Sequence, residues 1–114
     1  MADISAAKPL RALVINYHHD PVPSDAVNIM RNGGRWGNQF DHRTLGRDMS
    51  LYRYVWWLHE QVVSGEITLK ELAALHGKTL VCGCKPKACH GDILAIAVEW
   101  AHDVLESRRA SARV

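Results

Sequence analysis

At 114 residues, with 47% apolar and 23% charged residues, the chain has the balance of a single globular domain with one modest core, which argues against disorder outside its two ends. A net charge of +2 is too small to argue by itself for a nucleic-acid binder, although it does not exclude one, and no apolar run is long enough to span a bilayer. The opening Met1-Ala2-Asp3-Ile4-Ser5 lacks the charged-then-apolar order of a secretory signal.

Residues 1–9 read as a loose end. Leu10 to Tyr17 carries a short apolar run rich in β-formers and predicts a first strand, closed by His18-His19-Asp20 and by a turn through Pro21, Pro23, Ser24 and Asp25. Ala26-Val27-Asn28-Ile29-Met30 alternates apolar and polar residues, the pattern of a shorter second strand. Asn32-Gly33-Gly34 signals a turn, and Arg35 to Phe40 follows as a loop with two large aromatics. Residues 48–64 predict a helix capped by Asp48 or Ser50, with Leu51, Val55, Leu58 and Val62 as its apolar side. Trp56 and Trp57 are adjacent, so only one of them can be central to the core. Ser64-Gly65 ends this helix. Thr68-Leu69-Lys70-Glu71 has the form of a capping box and opens a short helix with Leu69, Leu72 and Leu75 inward, stopped by Gly77. Lys78 to Cys82 is the clearest strand, and its Leu-Val-Cys run predicts burial on both faces, as in a parallel sheet. A last helix is expected from Gly91 or Asp92 to Ser107, with 108–114 a loose, solvated basic end. The order strand, strand, helix, helix, strand, helix suits an α/β layer fold with a small, mainly parallel sheet flanked by helices.

Parallel α/β folds place ligands beyond the carboxyl ends of their strands. Two expected strand ends carry unusual residues: His18-His19-Asp20, and Cys82-Gly83-Cys84. If those strands are parallel neighbours, their ends meet. The second end leads into a helix start, where unpaired N–H groups favour anions. Cys89, His90 and Gly91 sit there, with Lys85 and Lys87 nearby in sequence. Positive surroundings would favour the Cys89 thiolate and a neutral His90 able to accept a proton. The Arg35-Trp36-Gly37-Asn38 loop is the second constellation: Trp36 can stack on a flat ring or plug the core, Gly37 admits close backbone approach, and Asn38 can donate and accept hydrogen bonds or hold a turn. His42 and Arg43 could extend it. His59, His76 and His102 read as solvent-facing.

Cys82, Cys84, Cys89 and His90 also have the number and type of a structural zinc set, though the spacing departs from zinc motifs, which separate paired cysteines by two or more residues. Taken alone, Cys82 is a small buried hydrophobe within its strand. An odd number of clustered cysteines suits a reducing cytoplasm better than a secreted disulfide scaffold.

Several stretches together resemble the family of small bacterial and phage proteins known as domain of unknown function 4326. They are His18-His19-Asp20-Pro21, Ala26 to Ile29, Arg35 to Phe40, the helix with Tyr52, Tyr54 and Trp57-Leu58, and above all Leu75 through Asp92 with its Cys82-Gly83-Cys84-Lys85-Pro86-Lys87-Ala88-Cys89-His90 core. The chain departs from the family at Gln39, where proline is usual, and at Gly83, where tryptophan is usual; the latter changes the shape between two cysteines. The resemblance implies a Rossmann-like α/β fold and a shared site but no reaction, and its phage members lean toward nucleotide or nucleic-acid chemistry.

The leading expectation is therefore a protein that binds, and as an enzyme would process, a nucleotide or similar phosphorylated small molecule. In it Trp36 stacks, the Cys89-His90-Gly91 helix start holds the anionic part with Lys85, Cys89 or Cys84 is the nucleophile, His90 is the acid–base group, Asn38 and His18 orient the substrate, and Arg35 and Gly37 complete the loop. The alternatives are a zinc-clamped, non-catalytic binding module and a phage-type accessory factor that docks on a host protein through exposed aromatics.

Overall fold

The computed structural model describes residues 12–16, 18, 20–30, 34–83, 87 and 89–112. Strands β1 (Leu13–Asn16) and β2 (Val27–Asn28) come first, followed by helices α1 (His42–Leu45), α2 (Arg47–Ser64) and α3 (Leu69–Ala73), strand β3 (Thr79–Cys82) and helix α4 (His90–Ala112). The sheet is parallel with order β1-β3-β2, Asn16 opposite Cys82 on one side and Asn28 opposite Val81 on the other. The strands expected at Leu10–Tyr17 and Lys78–Cys82 are thus parallel neighbours. Central β3 buries Leu80, Val81 and Cys82, as a strand covered on both faces must. Edge strand β1 leaves Leu13 exposed.

Helix α2 covers the expected residues but presents a different face to the core. Its buried residues are Ser50, Tyr54 and Leu58, while Val55, expected inside, is exposed. The cause is polar. The Tyr54 hydroxyl donates to the Trp36 carbonyl at 3.0 Å, and the Ser50 hydroxyl donates to the Phe40 carbonyl. Two hydroxyls that bond loop carbonyls can sit at core positions that an apolar count passes over. Trp57 packs against the core and Trp56 stands in solvent, so one tryptophan of the pair is used inside. Gly65 ends the helix in the left-handed conformation at φ 85°.

Helix α1 was not expected; Asp41 caps it by accepting from the Arg43 backbone N–H at 2.9 Å. Thr68 caps α3 as the sequence predicts, its Oγ1 accepting from the Glu71 N–H at 3.0 Å. Helix α4 runs on through Ala112, so residues 108–112, expected to be loose, are helical, with Arg109 and Glu106 paired one turn apart at 3.1 Å. Leu94, Ala95, Val98 and Ala101 form its core stripe. His76, expected in solvent, is half-buried between α3 and α4: its Nε2 lies 2.9 Å from the Glu99 carboxylate and its ring stacks on His102 at 3.6 Å. Buried Glu99 needs such polar company. His59 is exposed, as expected.

Among the described residues, no helix is long and apolar enough to cross a membrane.

Candidate functional site

The carboxyl ends of β2 and β3 open onto a hollow of about 330 Å³. Met30, just past β2, and Cys82 and Gly83, at the end of β3, form its floor, and Cys89 and His90 enter from the start of α4. The opposite wall is built by Asn38, Phe40, Asp41, the α1 residues His42 and Arg43, and Arg47, Ser50 and Leu51 of α2. The cysteine turn and the asparagine loop therefore share one cavity.

The loop wall is held by a closed set of hydrogen bonds. Asn38 Nδ2 donates to Ser50 Oγ at 2.9 Å, and Asn38 Oδ1 accepts from the Phe40 N–H at 2.9 Å. Ser50 Oγ returns its own proton to the Phe40 carbonyl. Asn38 thus borders the hollow and holds the turn, the second of its two expected roles. Arg43 is steered by Asp41, with Nε 3.2 Å from Oδ1.

The cysteine wall is tight and nonpolar in character. Cys82 and Cys89 are buried with their sulfurs 3.3 Å apart. The contact with the Cys82 thiol, followed by burial, pushes the Cys89 thiol far above its ordinary range, and the Gly91 backbone N–H opposes this only in part. The expected Cys89 thiolate is therefore corrected to a protonated thiol, since no cationic group among the described residues outweighs these two effects. His90 is 6% exposed, and burial pushes its imidazole below the usual value, with the Ile29 and Trp36 carbonyls working against it. Its Nε2 donates to the Ile29 carbonyl at 2.6 Å, and Tyr54 packs edge-on at 4.9 Å. The neutral imidazole expected here is present in character, but burial produces it, and the ring ties α4 to the end of β2.

Several expected ligand groups are placed elsewhere. Trp36 is 8% exposed and part of the core, so the plug alternative holds and its face is not open for stacking. Arg35 clamps α3: it pairs with the Glu71 carboxylate and donates to the Glu66 carbonyl. Gly37 turns the loop by donating its N–H to the Gly34 carbonyl at 3.1 Å, and with Arg35 it borders a second hollow on the far side of the loop. Gly91 is a packing glycine. A Cβ there would come within 2.8 Å of both Ile29 Cδ1 and Val14 Cγ1, so its role is close approach of α4 to the sheet. The α4 start is already served by an anion of the chain itself, because Asp92 Oδ2 accepts from the Cys89 N–H at 3.2 Å. His18 stands exposed past β1, its backbone N–H donating to Asn16 Oδ1 at 2.7 Å, and is not part of the hollow's lining. Cys84 and Lys85 lie outside the described residues. Among the described residues no group of three or more His, Cys, Asp or Glu side chains is placed to hold a metal ion, so the expected zinc set is not assembled from Cys82, Cys89 and His90.

Sequence reasoning missed Arg47 and Leu51 as members of the site, and took Ser50 only as a cap. The available signal was Gly46 followed by Arg47 and Asp48, a helix start lying directly after the loop.

Residues 15–100 match the family described as domain of unknown function (DUF4326). Over 69 residues the chain is 42% identical to an uncharacterised 12.4 kDa protein in the nrdA-td intergenic region of Enterobacteria phage T4; the match covers 60% of this chain and 63% of that protein. The chain thus spans less than two thirds of the length of the curated relative it matches. No solved structure matches the chain. The same 15–100 stretch contains both walls of the hollow, and with three quarters of its length accounted for in this way the chain belongs to the DUF4326 family.

Proposed function

We propose that the hollow binds a mononucleotide or a phosphorylated small molecule of similar size, and that a Rossmann-like use of the strand ends positions it. The observation that carries this reading is the pairing of apolar groups with two guanidinium groups in one hollow. Met30, Phe40 and Leu51 offer a surface for a flat ring, and Arg43, accompanied by Asp41, and Arg47 line the same hollow with His42. Guanidinium groups suit the planar, bidentate recognition of phosphate oxygens. The volume, about 330 Å³, is at the lower end of small-molecule sites, which favours one nucleotide over a dinucleotide. The location beyond the carboxyl ends of parallel strands agrees with the general rule for such sheets.

The reading assigns binding to this site and leaves the thiols out of the chemistry. The buried, protonated Cys89 is a poor nucleophile, and His90 spends one ring nitrogen on the Ile29 carbonyl. A cytoplasmic setting, where nucleotides and reduced thiols coexist, fits the same picture.

Titration calorimetry with a panel of mononucleotides and sugar phosphates tests it. At least one should bind, and Arg47→Ala should weaken that binding at least tenfold, about 1.4 kcal/mol. If no member of the panel binds, or if Arg47→Ala binds as the wild type does, the proposal fails.

A further inference from the structure

Helix α2 carries a second feature on the side away from the hollow. Its core face is Ser50, Tyr54 and Leu58. On the opposite side Met49 is 45% exposed, Tyr52 59%, Trp56 53% and Val63 73%. At 100° per residue these four positions fall on one stripe along the helix. The rings are already ordered on it: Tyr52 meets Trp56 edge-on at 6.3 Å, and Trp56 meets His59 edge-on at 5.9 Å. An apolar, aromatic stripe of this extent on a small protein marks an interaction surface.

We infer that this stripe is a homodimer interface in which α2 packs antiparallel on α2 of a second copy, with Trp56 at the two-fold axis. The charges beside the stripe select this partner. Arg53 precedes Trp56 by about one turn and Glu60 follows it by about one turn, on the same flank of the stripe. A two-fold axis across the helix reverses direction along it and preserves the flank. Arg53 of each copy then stands beside Glu60 of the other, twice over. Both are exposed, and among the described residues neither has an ion-pair partner within its own chain. The apolar residues obey the same symmetry, because Met49 and Val63 are equally far from Trp56 in opposite directions and so face each other's copies. A parallel arrangement would place Arg53 against no acidic residue of the partner helix. This self-complementarity is what an isologous interface requires.

The exposed parts of Tyr52, Trp56, Met49 and Val63 leave on the order of 400–500 Å² per copy to be covered, because rings of roughly 150–250 Å² are here only about half exposed, and this is the size of a small, reversible interface. The hollow lies against the opposite side of α2 and stays open in the dimer.

Sedimentation equilibrium of the full chain at tens of micromolar tests the inference. The wild type should show twice the 12.8 kDa chain mass. Trp56→Glu should raise the dimer dissociation constant at least tenfold. Arg53→Glu should weaken association by placing Glu beside Glu, and Arg53→Glu with Glu60→Arg should restore it. All three changes are at exposed positions, and circular dichroism on each variant confirms that the helix content is kept. A monomeric wild type overturns the inference, including the case in which the stripe serves a different protein. A dimer indifferent to Trp56→Glu, or a charge reversal without rescue by the double variant, overturns it equally.

Discussion

The two walls of the hollow are built from opposite kinds of residue, and their roles run against chemical reputation. One wall holds side chains often associated with catalysis, yet its described members Cys82, Cys89 and His90 are all buried and bonded to the fold. The wall from Asn38 to Leu51 contains Arg43 and Arg47, ordinary residues on α1 and at the α2 start, and these guanidinium groups line the cavity together with Asp41 and His42. Burial decides the difference. A thiol or imidazole taken out of water prefers its neutral form and finds a protein partner, whereas a guanidinium at the rim keeps its charge, as Arg43 does beside Asp41. Substitutions of the buried thiols and imidazole should therefore be read in stability, and those of the rim arginines in binding.

The largest effect should come from His90. His90→Ala removes the bond to the Ile29 carbonyl and the edge contact with Tyr54, and should cost about 3 kcal/mol in urea unfolding. His90 also gives a pH test. Its folded value is depressed by burial, so below about pH 6.5 the unfolded chain takes up a proton that the native ring refuses. This contribution to stability is full above that pH and is lost as pH falls toward the depressed value. The variant should lose less stability on acidification than the wild type does. An equal slope for both would mean that the ring is not buried as described.

Gly91→Ala comes next. The added methyl overlaps Ile29 and Val14, and overpacking should outweigh the gain of up to ~1 kcal/mol in helix propensity, for a net loss of about 1–2 kcal/mol. A stabilised variant would show that α4 stands off the sheet. The Cys89 thiol should resist alkylation at pH 8 in the native protein and react readily once the chain is unfolded, as read by mass spectrometry of the Cys89 peptide. Rapid native modification would return that thiol to the list of nucleophiles.

The unequal legibility of these walls has a physical basis. The β3 run, the α2 boundaries and the Thr68 cap were readable because each rests on a local pattern: apolar continuity, helical period, and a hydroxyl three residues ahead of an acid. The parallel pairing of β1 with β3 was readable from their apolar runs, but the hollow takes in the β3 end and the loop wall and leaves His18 beyond β1 outside, a placement that strand order alone does not give. The inward turn of Ser50 and Tyr54 was not readable, because it depends on loop carbonyls at Phe40 and Trp36 that no helix period encodes. Trp36 left two alternatives open for the same reason: a tryptophan in a loop is equally suited to plugging and stacking until its surroundings are known. Gly91 looked like an anion-binding glycine because a helix start and a tight packing contact call for the same residue.

The smallest effect sharpens the contrast at Arg35, which the sequence groups with the binding loop and the fold assigns to α3. Its pair with Glu71 is substantially exposed, with side-chain exposures of 46% and 35%, so water and salt screen it. Arg35→Ala should lower stability by only about 0.5 kcal/mol, and less at high salt, because the Glu66 carbonyl it also serves can turn to water. Ligand affinity at the hollow should not change, since Arg35 borders the other side of the 34–40 loop. The comparison with Arg47→Ala is then direct: Arg35→Ala should move the unfolding curve and leave the binding isotherm in place, whereas Arg47→Ala should move the binding isotherm. A drop in affinity with Arg35→Ala equal to that with Arg47→Ala would mean that the loop transmits strain between its two sides and that the division between a folding wall and a binding wall does not hold.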